Sequence, residues 1–373
     1  MSGPGRVIAA SMDLSRYFRP DYQAARCRFL GTATAAGAAI ESISHPERGP
    51  DGLLLATDVA WIGPADAPAV LVLLAGTHGV EGFCGSGAQI AWLDSGAAQV
   101  LPPGVAVMLV HGVNPHGFAW QRRVDAANVD LNRNWVDFGG PLPDNAGYRA
   151  LHPALMPDTW TTGTSAEIAK ALADYAAENG EAALRQALTA GQYSHADGIF
   201  HGGTEPTWSR MTLTAIYREK LAAAQRVAII DYHSGLGPRG MAEQLVPVPK
   251  GSAAYARTVA AFGAGILSVV DGASSSAKVG GDGLAAAANV LSHAEVTTMA
   301  MEYGTRPFDV VLHALIADNW LHARGDPLSP EGQMITAQLR DAFVGDDDVW
   351  RAMVVGQSAL AIRQALAFLG SPA

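Results

Sequence analysis

Residues 69–82 read Ala69-Val70-Leu71-Val72-Leu73-Leu74-Ala75-Gly76-Thr77-His78-Gly79-Val80-Glu81-Gly82. The first seven are apolar without interruption, a run of strand length rather than helix length. An unbroken apolar strand implies a sheet covered on both faces, because an exposed face would call for alternating polar residues. Polar side chains begin as soon as the run ends. In open α/β sheets the carboxyl edge of the strands is where sites form. His78 and Glu81, two residues apart in such a turn, can point at one place above that edge. Imidazole nitrogen and carboxylate oxygen both suit zinc. The flanking glycines permit tight turns and close approach of a substrate. By itself the spacing also describes an exposed histidine beside a helix-starting glutamate.

Four further runs read as strands: Leu53 to Ile62, Val105 to Val110, Arg226 to Tyr232 and Glu295 to Tyr303. Helical segments alternate with them: 21–43, 86–94, 165–190, 207–225 and 252–268, then 309–324, 330–343 and 348–369. The pattern predicts an α/β fold with a mixed, largely parallel sheet sandwiched by helices. The chain reads as a single domain over 1–373, with an insertion or subdomain around 140–225. The stretch 139–163, rich in Pro and Gly, reads as a surface loop. So does 271–283, with Ser274, Ser275, Ser276, Lys278, Gly280 and Gly281.

The chain has 373 residues, of which 49% are hydrophobic and 16% charged, with a net charge of −10. That supports a large core and excludes disorder. The acidic balance offers no basic face for nucleic acid. The N-terminus lacks the pattern of a signal peptide, and no run approaches the ~18 apolar residues of a membrane helix. Cys27 and Cys84 do not make a disulfide framework, so a reduced, cytoplasmic protein is the default expectation. A homo-oligomer is compatible with all of this.

Three further motifs carry chemistry. Asp231-Tyr232-His233-Ser234-Gly235 again follows an apolar run, and His233 would supply the third ligand that a catalytic zinc needs. A strand-end histidine with a local partner is the plainer alternative. Asn114 to Arg123 and Val129 to Trp135 crowd amide and guanidinium groups between apolar residues. Arginine in such a place binds anions or oxyanions, its planar fork matching a carboxylate. The alternative is a structural network in which Arg133 pairs with Asp130 or Asp137. Met301-Glu302-Tyr303 closes an apolar strand, where a carboxylate is costly to bury unless it is paired or used. Beside a metal, Glu302 would be a general base.

Taken in order, His78-x-x-Glu81, Arg123, Asn132-Arg133, His233 and Glu302 resemble the zinc carboxypeptidase superfamily, the M14 metallopeptidases. The words GTHGVEGFCGS, NPHGFAWQRRVDAANVDLNRNW, GQYSHADGIFHGGTEPTWS, DYHSGLG and MEYGT resemble its bacterial DUF2817 branch, over roughly residues 20–370. The resemblance implies a zinc carboxypeptidase-like fold and one zinc ion per chain, held by His78, Glu81 and His233. It makes Glu302 the base and later the acid, and Arg123 (with Arg122 as the alternative) the oxyanion partner. It makes Asn132 and Arg133 the holders of the substrate's free carboxylate, and Asp130 the residue that orients His78. The implied activity is hydrolysis of peptides or small peptide-like molecules. An N-acyl amino acid deacylase of the aspartoacylase or succinylglutamate desuccinylase type uses the same ligands and is the first alternative. A non-catalytic metal-binding protein is the second. Two departures stand out. The stretch between Arg133 and His233 is longer than in digestive carboxypeptidases. The loop before Glu302 carries Lys278 and Asp282 where those enzymes supply a tyrosine.

Overall fold

The computed structural model describes residues 13–272 and 279–371; the call on Ser274, Ser275, Ser276 and Lys278 lies outside the described residues. Eight strands form one sheet: β1 (Ala39–Arg48), β2 (Leu54–Ile62), β3 (Ala69–Ala75), β4 (Val105–His111), β5 (Arg226–Arg239), β6 (Ala242–Val246), β7 (Leu267–Ser268) and β8 (Glu295–Gly304). Their order is β1-β2-β4-β3-β5-β8-β6-β7. The central four, β4, β3, β5 and β8, run parallel. On one side β2 joins β4 antiparallel, and β1 then joins β2 antiparallel. On the other side β6 joins β8 antiparallel. This is the expected class, a mixed sheet with a parallel centre.

Side chains of β3 alternate between two cores. Leu71 and Leu73 enter one, with residues of the helices Tyr22–Ala35, Gly82–Asp94, Ala253–Phe262 and Asp348–Gly370. Val70, Val72 and Leu74 enter the other, with the helices Trp208–Lys220 and Gly283–Val290. Helices on both faces explain why β3 could be apolar throughout. A third core lies away from the strands. There Tyr148, Leu151, Ile168, Leu188 and Phe200, all from 140–225, meet Val311, Leu312 and Phe343.

Several boundaries differ from the sequence expectation. The first helix stops at Ala35, and 39–48 is an edge strand that escaped notice because most of it is polar and exposed. β6 and β7, five and two residues long, are too short to show a period. The helix expected over 165–190 is two, broken at Gly180, whose φ of 90° side chains avoid. Within the expected loop 139–163 lies the helix Ala146–Leu155, capped by Asn145, which accepts from the Tyr148 N–H. The helix Asp348–Gly370 holds an 18-residue window of mean hydropathy 1.4, enough by length and composition to cross a membrane. In this fold its Val354, Ala361, Ile362 and Ala365 pack into the core beside β3.

The turn after β3 is held from outside. Gly79 N–H donates to Arg123 O (3.1 Å) and Val80 N–H to Arg122 O (2.8 Å). A Cβ on Gly79 would meet the backbone carbon of Gly117 at 1.9 Å. Only glycine lets the two loops lie together, so Gly79→Ala forces one of them to move. The expected loss is at least about 2 kcal/mol of stability, read as the shift of the urea or thermal midpoint.

Candidate metal centre and active-site cavity

Parallel pairing sets the site. Ala75 stands opposite Tyr232, and Tyr232 opposite Met301. One residue further, His233 stands opposite Glu302. The turn carrying His78 and Glu81 leaves β3 at the same level, so three chain segments deliver polar side chains to one point on the sheet edge.

Those side chains converge. His78 Nδ1 lies 3.2 Å from His233 Nδ1 and 3.0 Å from Glu81 Oε1. His233 Nδ1 lies 2.9 Å from Glu81 Oε2. The three residues are buried, and their ligand atoms all fall within 4.8 Å of one another. Donors about 2.0–2.2 Å from a tetrahedral zinc sit about 3.4 Å apart, so the set fits that ion with modest expansion.

Each histidine turns its other nitrogen to a carboxylate. His78 Nε2 is 3.2 Å from Asp130 Oδ1, and His233 Nε2 is 3.0 Å from Asp231 Oδ2. Asp231 is held in turn by the Thr77 hydroxyl, which donates to Oδ1 at 2.8 Å. Such partners fix the tautomer that leaves Nδ1 free for a metal. Asp231 and Thr77 were missed by sequence reasoning. Asp231 had a readable signal, since residues two apart on a strand share a face.

Arg123 lies across the acidic side of this cluster. Its Nε donates to Asp130 Oδ2 at 2.9 Å and its Nη1 to Glu81 Oε1 at 2.8 Å. Its Nη2 sits 2.9 Å from His78 Nε2. When His78 gives Nδ1 to a metal, Nε2 carries the proton and Asp130 accepts it, so Nη2 is left without an acceptor there. Arg122 turns away, donating to Asp318 Oδ2 at 3.1 Å and Asn128 Oδ1 at 2.9 Å.

The charge balance of the cluster suits a cation. Glu81, Asp130 and Asp231 are buried carboxylates, while Arg123 and Arg133 are the guanidiniums beside them. With neutral imidazoles the acids are in excess, which is costly away from water. Burial disfavours a charged His233, yet the Asp231 and Glu81 carboxylates outweigh it and push the imidazole well above its usual range. Burial likewise opposes ionisation of Asp130, but Arg123 and Arg133 hold it well below the usual carboxylate range.

Glu302 stands apart from these pairs. Leu236 N–H donates to its Oε1 at 3.0 Å. That contact is made possible by Gly235, at φ 141°, where a Cβ would press on Phe343 at 3.0 Å. Burial, then the neighbouring Glu81 charge, pushes the Glu302 carboxyl up to about 7.

His78, Arg123, His233 and Glu302 line a cavity of about 140 Å³, together with Asn132 and Arg133. Asn132 Oδ1 accepts from Gly283 N–H at 3.2 Å. Arg133 is buried. It donates through Nη2 to Thr189 O at 2.7 Å and through Nη1 to Asn132 O at 3.2 Å, and lies 3.8 Å from Asp130. Its Nε is buried and has no hydrogen-bond partner among the described residues. His78 and His233 are the histidines of this wall; His111, His116, His195 and His201 are not part of it.

The profile of the DUF2817 family, described as a protein of unknown function, matches residues 18–357. No curated protein matches the sequence. Solved structures with a similar chain path include carboxypeptidase A from Helicoverpa armigera, at 13% identity and a TM-score of 0.46, covering 86% of this chain and 73% of that one. A metallo-carboxypeptidase from Burkholderia cenocepacia is similar at 13% identity and 0.39, covering 90% and 68%. The succinylglutamate desuccinylase from Chromobacterium violaceum is similar at 14% and 0.36, covering 81% and 74%. Likeness this low carries no weight for activity, which has to be argued from the residues themselves. The match over most of the chain does establish the family: the protein belongs to DUF2817.

Proposed function

We propose that this protein is a zinc-dependent amide hydrolase of the carboxypeptidase type, acting on peptides or small peptide-like molecules that end in a free carboxylate. The observation that carries this reading is the convergence of His78 Nδ1, His233 Nδ1 and the Glu81 carboxylate, with His78, His233 and Glu302 facing one cavity. A single zinc ion per chain, held by those three side chains, would acidify water and polarise the scissile carbonyl.

The chain's own residues supply the rest. Glu302 has one oxygen fixed by Leu236 N–H and the other left to take a proton from water. A carboxyl raised toward neutrality then gives that proton to the leaving amine. Arg123 Nη2 is the donor for the oxyanion, already fixed by the two carboxylates that hold its Nε and Nη1. Asn132 and Arg133 hold the terminal carboxylate, and the unpartnered Arg133 Nε supports this role. Asp130 and Asp231 orient the two histidines. On this reading 1–373 is one catalytic unit, with 140–225 an insertion that reaches Arg133 through Thr189.

The cavity of about 140 Å³ seats one residue against Asn132, Arg133 and Glu302, an arrangement that an N-acyl amino acid would also fill, so deacylation is the second reading. A peptide panel beside an N-acyl amino acid panel separates the two.

Metal analysis of purified protein should find one zinc per chain, and His233→Ala should lose both metal and activity. Asp231→Asn should keep the fold and weaken zinc binding by roughly 10–100-fold in chelator competition. Full zinc occupancy and a normal rate in His233→Ala would remove the ligand assignment.

Glu302→Gln should retain zinc and lower kcat by roughly 10²-fold or more. The base works ionised, so wild-type kcat/KM should fall as pH drops through the Glu302 pKa. A cation beside the carboxylate draws that value downward, placing the midpoint at or below about 7. A pH–rate profile that keeps the same acid limb in Glu302→Gln would assign the base elsewhere.

Amidating the substrate's terminal carboxylate should cost up to ~10⁴-fold in kcat/KM, and Arg133→Ala should cost the free acid alone. Because Arg133 also holds Thr189 O, the decisive comparison is acid against amide on both proteins. Equal losses on the two substrates would reduce Arg133 to a structural tie.

A further inference from the structure

We infer that the cavity selects substrates whose carboxylate-bearing residue has an apolar side chain. This rests on the reading of Asn132 and Arg133 as the carboxylate holders, and it names the substrate class that reading leaves open.

Residues of β8 alternate in direction. Met301 and Tyr303 enter the core on the far face, while Ala300 and Glu302 line the cavity. Ala300 lies two residues before Glu302 and therefore one row deeper on the same face. In that row it stands opposite Leu245 of β6. The floor beside Glu302 is thus a methyl group and a leucine. Val246, Pro247, Val279 and Leu284 complete this wall. Leu284 follows Gly283, whose N–H reaches Asn132 Oδ1. The apolar wall therefore begins where the carboxylate is held.

Asp282 is the charged residue of that wall. Its Oδ1 accepts from Ala285 N–H at 2.8 Å and caps the helix Gly283–Val290. Burial pushes its carboxyl up, against the Ala285 hydrogen bond and the His233 and Arg133 charges. Through that hydrogen bond Oδ1 is committed to the helix end, and Arg133 and His233 are the cationic groups it faces. A charged side chain entering here would leave water for aliphatic carbon, with no uncommitted partner among the described residues of this wall. The opposite wall is apolar over Phe200, Leu236, Phe308, Leu312 and Phe343 and also carries Arg185, whose guanidinium lies 5.7 Å from the Phe308 ring centroid, so a preference for Glu would make Arg185 the selecting group. Ala300 also sets the depth: a larger residue there would fill the floor.

The test uses the zinc-loaded full chain and N-acetylglycyl-X dipeptides with X as Leu, Phe, Ala, Arg or Glu. The kcat/KM for Leu and Phe should exceed that for Arg and Glu by ~10²-fold or more, and each lost methylene should cost roughly 10-fold upward. Ala300→Leu should lower kcat/KM for Leu and Phe at least ~10-fold and spare Ala, with an unchanged thermal midpoint showing that the fold survives. Binding of the same dipeptides to zinc-loaded Glu302→Gln, by calorimetry, separates recognition from chemistry. If wild type cleaves none of them while binding still ranks Leu and Phe above Arg and Glu, the activity reading fails and the pocket inference stands. A flat ranking, no binding by any member, or preference for Glu would overturn the inference. Preference for Arg would overturn it too and would make Asp282 the selecting group.

Discussion

The parallel register of β3, β5 and β8 is the constraint on which the site depends. Ala75, Tyr232 and Met301 lie side by side across the sheet, so the segments that follow them emerge at one height. A slip of one residue in β5 would turn His233 to the opposite face and bring Tyr232 to the sheet edge instead. The apolar side chains of these strands guard against that slip. They alternate between two well-filled cores, so a register error would exchange both sets at once. Packing on the two faces thereby fixes the geometry at the edge.

Polar residues at that edge are stable only as a group. Asp130 serves His78, Arg123 and the Asn132 N–H. Glu81 serves both histidines, Arg123 and the Ser234 N–H. No single member could be buried alone at tolerable cost, and removal of one leaves its partners unsatisfied. Glu302 differs in kind. Among the described residues its close donor is the Leu236 N–H, and burial, then the Glu81 charge, push its carboxyl up to about 7. For the proton transfer proposed for Glu302, a carboxyl outside strong ion pairs is what is needed, and the sheet holds it beside the cluster without joining it.

Much of this was legible in the sequence because it was local. The apolar run 69–75 and the turn after it carry strand, sheet edge and two polar side chains within fourteen residues. The words around His233 and Glu302 have the same form. What escaped had no local period. β1 is a polar edge strand, β6 and β7 are short, and the breaks at Ala35 and Gly180 interrupt segments that composition alone makes helical. The role of Thr77 was also hidden, since its partner Asp231 is 154 positions away. The sequence suggests an anion-binding role for Arg133, while its hold on the Thr189 carbonyl was not legible, a contact that exists only once the helices of 140–225 have folded.

The distance along the chain between Glu81 and His233 has a consequence for biosynthesis. They are 152 positions apart, and ribosomes add about 5–20 residues per second. His78 and Glu81 therefore leave the ribosome roughly 8–30 s before their partner histidine does. Through that interval β3 has no β5 beside it, and on the proposed ligand set His78 and Glu81 would offer a cation only two donors on an incomplete sheet. Ion capture at this point would be weak and unselective. On the proposed ligand set the coordination sphere would be complete once β5 pairs with β3, so loading would be timed by that pairing rather than by the first appearance of a ligand.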